Sequence, residues 1–255
     1  MGMSRHVKQV LYGTFYLIIL VAIGAGIYFL WFRPGPSCFD GIQDQGEQGV
    51  DCGGPCARQC AAVNTQPIVP LGGVNFFSPL AGSESVLVKL ENANASSGAP
   101  SFNYTITLYG AGSSTTVASI SGSSFIYPNE VKYIVVPNEP VSSAVASGTI
   151  TIGNVQWLDA SHMGPSPAFS FTNVTYTPGQ NGFVTVSGNI TNGSVSSYAP
   201  VIIDAVFKDA FGTPVGASQT QIDSLAAGAT QPFSISYPLM PNEAVSNTDL
   251  KAYAE

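Results

Sequence analysis

FNYTITLYG, residues 102–110, alternates strictly: Phe102, Tyr104, Ile106 and Leu108 are apolar, while Asn103, Thr105 and Thr107 are polar. Successive side chains of an extended strand point to opposite faces, so a period of two puts the first set on a buried face and the second toward solvent. The same pattern continues on both sides. VNFFSPL and SVLVKLEN precede the stretch, and TTVASI, SFIYP, VKYIVV and GTITIGNVQWL follow it, each a short apolar or alternating run closed by turn-forming residues. No span of the body keeps a 3.6-residue period over three turns, so the body reads as all-β.

A second series begins near Phe169: FSFTNVTY, GFVTVSGNI, VIIDAVFKDAFG, QTQIDSL, QPFSISYPL and TDLKAYA. Laid on the first at an offset of about 100 residues, it keeps the order and spacing of the strands. Val86, Val88 and Leu90 fall near Val184, Val186 and Gly188, while Ile106, Leu108, Tyr109 and Gly112 fall near Ala205, Phe207, Lys208 and Gly212. This self-similarity predicts two tandem domains, 74–160 and 168–255, divided in the Gly/Pro/Ser stretch His162–Pro167. Six or seven short strands in each suit a Greek-key sandwich of immunoglobulin type.

Upstream lies LYGTFYLIILVAIGAGIYFLWF, Leu11–Phe32, without a charged residue. As a helix it would be about 33 Å long, enough to cross the roughly 30 Å hydrocarbon layer of a bilayer, and membrane lipid is its expected partner. Tyr12, Tyr16, Tyr28 and Trp31 sit where amphipathic rings meet the headgroups. Arg5 and Lys8 precede the run, whereas Arg33 alone follows it before an acidic segment, so residues 1–10 are expected to be a cytoplasmic tail and the body to lie outside the cell membrane. The exit, Leu30–Pro34, has no small-residue cleavage pattern, which predicts an uncleaved signal anchor.

All four cysteines, Cys38, Cys52, Cys56 and Cys60, fall in one short segment. Outside the cytoplasm an even count so placed reads as two disulfides, with three pairings open; four-thiolate zinc is the reducing-compartment alternative, but zinc cysteines usually come as two close pairs. Asp40, Asp44, Glu47 and Asp51 are interleaved with glycines in the same segment. Hard oxygen ligands on a turning backbone are what Ca²⁺ takes, so calcium is the metal they would hold, against the plainer reading of a solvated acidic loop. The string DGIQDQGEQGVDCGGPCARQC, residues 40–60, resembles a cysteine module of secreted and surface-anchored microbial proteins, of the form DG-x-x-(N/D)-x-GE-x-x-VDCGG-x-C-x-x-C. That resemblance implies an extracytoplasmic address and names no activity. Pro67 and Pro70 then mark residues 61–73 as a stiff linker. In the second unit Phe207, Asp209, Gly212, Leu225, Gly228 and Phe233 are similar to the pattern of small FxLYD-type β-sandwich domains of microbial surface proteins, which implies the same fold and leaves function open.

Only 9% of the residues are charged, against about 25% in an ordinary soluble domain, and the net charge is −7. Beyond Arg58 the cations are Lys89, Lys132, Lys208 and Lys251, too few for a phosphate-binding groove, which excludes nucleic acid as a partner. The body has one histidine, His162, in DASHMGPSP beside Asp159, and it reads as a solvated linker residue, with Trp157 and Met163 packing near the junction. No catalytic constellation is visible, so the chain is expected not to be an enzyme. Sequons occur at Asn94, Asn103, Asn173, Asn189 and Asn192. The expectation is an anchored surface protein meeting a surface protein or glycan. The alternative is an accessory subunit of an envelope, secretion or filament assembly that uses strand edges, with Gly24, Ala25 and Gly26 as a small-residue helix face.

Overall fold

The computed structural model describes residues 4–28, 37–47, 51–58, 60, 65–112, 115–178, 182–238 and 247–254. The chain divides into two compact units, Met1–Cys60 and Ala61–Glu255.

The first unit opens with helix α1, Arg5–Ile27, whose mean hydropathy reaches 2.2 and which buries none of its residues. It is long and apolar enough to cross a membrane, as a single-pass anchor would. It starts at Arg5 rather than at Leu11 because nothing in between breaks a helix, and the stems of Arg5 and Lys8 can lie along an apolar surface with their charges at its edge. The expected end at Trp31 and Phe32, and Arg33 beyond it, lie outside the described residues.

The second unit is built from antiparallel strands: β1 (Val69–Pro70), β2 (Asn75–Leu80), β3 (Ser83–Glu91), β4 (Ser97–Tyr109), β5 (Thr116–Ile126), β6 (Val131–Pro140) and β7 (Ser147–Asp159), then a helical turn α2 (Ala160–Met163), then β8 (Phe169–Pro178), β9 (Phe183–Asn192), β10 (Val201–Lys208), β11 (Pro214–Ile222), β12 (Thr230–Pro238) and β13 (Asn247–Tyr253). β3 pairs with β1, β2 and β6, and β4 lies between β5 and β7. Further on, β9 lies between β8 and β12, and β10 between β11 and β13. Each pair of sheets closes on its own core. Val86, Val88 and Leu90 meet Phe102, Ile106 and Leu108 in the first. In the second, Val184, Val186 and Ile190 meet Ile203, Ala205, Phe207 and Phe233. Full burial of such side chains stabilises by about 1.5–3 kcal/mol each. Phe207 stacks on Tyr237 at 5.1 Å, and a Cβ on Gly216 would run into the Tyr237 ring, so only glycine fits there.

The repeat seen in the sequence is a repeat of connectivity. β2, β3 and β6 correspond to β8, β9 and β12, and β4, β5 and β7 to β10, β11 and β13. Two further features fix the register. The ladder is irregular between Leu108 and Tyr109 on β4 and between Phe207 and Lys208 on β10. After β3 the buried Asn92 donates to the carbonyls of Ser97 (2.8 Å) and Tyr127 (2.9 Å) and accepts from Asn94 N. At the end of β9 the buried Asn192 donates to Ser196, Leu225 and Ala226 carbonyls and accepts from Ser194 N. The two asparagines are 192 − 92 = 100 positions apart, so Val86 matches Val186 and Leu90 matches Ile190. The alignment of Val86 with Val184 is therefore two residues out, a slip that a period-two strand tolerates because it keeps the same face.

The expected linker, 61–73, is not a free spacer in its second half. Ile68 is buried in the first core, and Val69 and Pro70 pair with Glu91 and Leu90. Proline, which has no N–H to donate, is tolerated in so short an edge strand.

The two sheet pairs pack on each other through unlike sheets. Leu87 of β3 and Tyr133 and Val135 of β6 meet Val206 of β10 and Ala217 of β11, with Phe77 alongside. Polar contacts frame this patch. Tyr133 N donates to Tyr253 Oη (2.8 Å), Tyr133 Oη to Asp249 (2.9 Å), and Lys251 Nζ to the Val131 carbonyl (2.8 Å). Trp157 and Met163 do not form this contact: Trp157 packs on the first core and Met163 lies over Gly98 of β4.

Candidate functional site

In the first unit the cysteines are joined as Cys38–Cys56 and Cys52–Cys60, with Cα separations of 5.6 and 4.9 Å. The acidic residues are gathered in the same knot, but as caps for backbone N–H groups. Asp51 accepts from Asp40 N and Gly41 N, Asp40 from Ser37 N and Ile42 N, and the buried Glu47 from Asp51 N at 3.2 Å. Gly54, at φ +57°, crosses so close to the Gly46 carbonyl that a Cβ would overlap it. Among the described residues, the acidic and sulfur atoms that cluster in threes are those of Cys38, Glu47 and Cys56, and two of these are one disulfide with no thiolate to offer. The carboxylates of Asp40, Glu47 and Asp51 thus serve the knot's turns, whereas Asp44 Oδ1 is buried without a partner.

In the second unit the packing of unlike sheets leaves a cavity of about 280 Å³ bounded by residues of β4, β5, β6, β10, β11 and β13. The alternation of β10 explains who faces it. Val201, Ile203, Ala205 and Phe207 turn into the second core, so Ile202, Asp204 and Val206 face the first sheet pair. Asp204 is 3% exposed and its Oδ1 has no hydrogen-bond partner. Burial pushes its carboxyl up to about 7, with the Lys132 charge pulling the other way. Lys132 is itself buried, its ammonium 3.3 Å from the Phe125 ring centre and 4.2 Å from that of Tyr253. Burial likewise raises the Tyr104, Tyr133 and Tyr253 hydroxyls, and a hydrogen bond to Asp249 adds to the shift at Tyr133.

Sequence reasoning did not single out Asp204 or Lys132. A signal exists: VIIDAVF, residues 201–207, places one carboxyl among residues that are otherwise all apolar. His162 is exposed in α2. Its Nδ1 is 3.3 Å from Ser161 Oγ, which donates to Asp159 at 2.6 Å, and Asp159 also accepts from Ser161 N as the cap of that turn. These bonds hold Asp159 below the usual carboxylate range. Among the sequons, Asn103 and Asn173 are exposed, whereas Asn192 is 0% exposed with its amide committed to three carbonyls and cannot carry a glycan in the folded chain.

No family model and no curated protein matches the chain. Among solved structures, an exo-chitosanase of Amycolatopsis orientalis, CsxA, is 16% identical over 65% of this chain and 23% of its own, with a TM-score of 0.22. A red sea bream transglutaminase is 11% identical over 72% of this chain and 31% of its own, with a TM-score of 0.21. At such scores neither likeness carries an argument about this chain.

Proposed function

We propose that the protein is a single-pass signal-anchor protein with a cytoplasmic N-terminus, and that its cysteine knot and two immunoglobulin-type sandwiches stand outside the membrane in a non-catalytic binding or presentation role. The observation that carries this reading is the succession of an apolar helix with no buried residue and a segment whose four cysteines are all paired. Disulfides persist in oxidising compartments, and small segments with little core rely on them. The likeness of residues 40–60 to surface-anchored microbial modules agrees with it.

An accessory role in an envelope, secretion or filament assembly is the second reading. It is favoured by β5, eleven residues long and paired along one side, with β4. Against it, the edge strands β7 and β8 carry Asn154 and Asn173 at positive φ, interruptions that blunt strand addition.

The test is labelling of intact cells with a membrane-impermeant amine reagent, read by mass spectrometry without reduction. The expected result is modification of the exposed Lys89 together with intact Cys38–Cys56 and Cys52–Cys60 links. An unlabelled Lys89 in intact cells that becomes labelled on lysis, or four free thiols, would overturn the outside placement.

A further inference from the structure

We propose that the cavity between the two sheet pairs is a binding site for a neutral, hydroxyl-rich ligand the size of one sugar ring, with Asp204 as the buried acceptor of a ligand hydroxyl. The outside placement proposed above matters here only as the ligand's source; the binding chemistry rests on the cavity itself.

Three observations converge. First, the space is real and composite: about 280 Å³, with walls from both sheet pairs. Sites for drug-sized ligands run from about 300 to 1,000 Å³, so this one suits a single ring. Second, Asp204 is nearly inaccessible, yet its Oδ1 lacks a donor. Leaving a buried acceptor unpaired is costly, and a ligand hydroxyl would satisfy it. Third, the carboxyl is not required by the fold. The irregularity that follows Leu108 and Phe207 aligns Asp204 with Thr105, and at that position in the first repeat a hydroxyl serves, bonded to Ser121 at 3.2 Å.

The lining selects the ligand's chemistry. Asp204 and Lys132 supply the charged groups of the lining, and the rest of it is hydroxyl, amide, aromatic and aliphatic, which suits a hydroxyl-rich ligand. Ser123 and Gln219, both exposed, put hydroxyl and amide groups at its mouth, and the rings of Tyr104 and Tyr253 supply the apolar walls that sugar C–H faces require.

The experiment uses the full-length chain in phosphatidylcholine nanodiscs, with saturation-transfer NMR against glucose, galactose, mannose and N-acetylglucosamine. Transfer to at least one sugar is expected, with a Kd of about 1 mM. Asp204→Leu, which removes the acceptor and suits a buried site, should weaken that binding at least tenfold, and Asp204→Asn, which keeps an acceptor oxygen, should recover part of it. Gln219→Ala, at the exposed mouth, should weaken it several-fold with the unfolding transition unchanged. Absence of transfer to all four sugars overturns the proposal, as does undiminished binding by a folded Asp204→Leu chain. If that variant does not fold, unchanged affinity in Gln219→Ala overturns it. A chain labelled at Lys89 from outside that binds none of the sugars sinks the cavity proposal alone. One that binds a sugar but is never labelled sinks the outside placement alone.

Discussion

The two repeats share strand pairings, a ladder irregularity and a buried asparagine, yet their outward faces differ position by position. Leu87 of β3 corresponds to Ser187 of β9, and Tyr133 and Val135 of β6 to Pro232 and Ser234 of β12. Thr107 and Ser119 of the first repeat correspond to Val206 and Ala217 of the second. Where the repeats meet, the set is apolar. On the two faces turned away from the junction, hydroxyls bond along the sheet: Thr105 with Ser121 at 3.2 Å, Thr185 with Ser236 at 2.9 Å, Thr191 with Thr230 at 2.8 Å. The inward alternation makes the fold, and the outward alternation decides which faces meet.

Removing the shared asparagines tests the likeness most severely. Asn92→Ala and Asn192→Ala each orphan buried carbonyls, and each should cost about 3 kcal/mol in urea unfolding. A cost below about 1 kcal/mol in one of them would break the equivalence. Exchanging outward residues tests the difference. Leu87→Ser should cost about 2–4 kcal/mol by emptying the junction, while Ser187→Ala on the free face should stay within about 0.5 kcal/mol. Equal effects would mean that the junction contributes nothing.

Asp204 gives the next effect, and its sign follows from burial. The folded carboxyl, raised to about 7 from 3.8, keeps a proton that the unfolded chain has released. This contribution to stability is therefore complete below about pH 4 and is lost as pH rises through about 7, by at most about 1.4 kcal/mol per pH unit. Asp204→Thr, the residue of position 105, should flatten that slope and unfold at higher urea than the native chain above pH 7; an unchanged slope between pH 4 and 7 would show that another group sets it. Asp249 works in the opposite sense: although its burial opposes ionisation, the bonds from Lys208 and Tyr133 hold it below the usual range, and what it adds is lost on acidification. A small effect is expected from Lys208→Met as well. Its bridge to Asp249, 2.6 Å long, is part-exposed at both ends, so the loss should stay under about 1 kcal/mol and shrink in salt.

Much of the fold was legible because burial follows a period of two. Phe102, Ile106 and Leu108 are fully buried, as their alternation required, and the repeat kept its strand order. The register was not legible from Val and Leu, which fit any inward position. It was carried by Asn92 and Asn192, whose match only their shared bonding to turn carbonyls makes specific. The candidate site was less legible still. Asp204 looks like an ordinary outward strand residue until Tyr133 and Lys132, some seventy positions earlier, are known to cover it. The cysteines announced that they pair but not how, since spacing does not choose among three connectivities.

The junction joins two different kinds of sheet, β2-β3-β6 of one repeat to β11-β10-β13 of the next, so it has a direction. A directional contact between like modules contains no rule for stopping: a third module could dock on the second as the second docks on the first, and so on into a fibre. The hydroxyl pairs of the β9 and β4 sheets, Thr185 with Ser236, Thr191 with Thr230 and Thr105 with Ser121, stand where the junction has apolar side chains, so these positions do not repeat the docking surface.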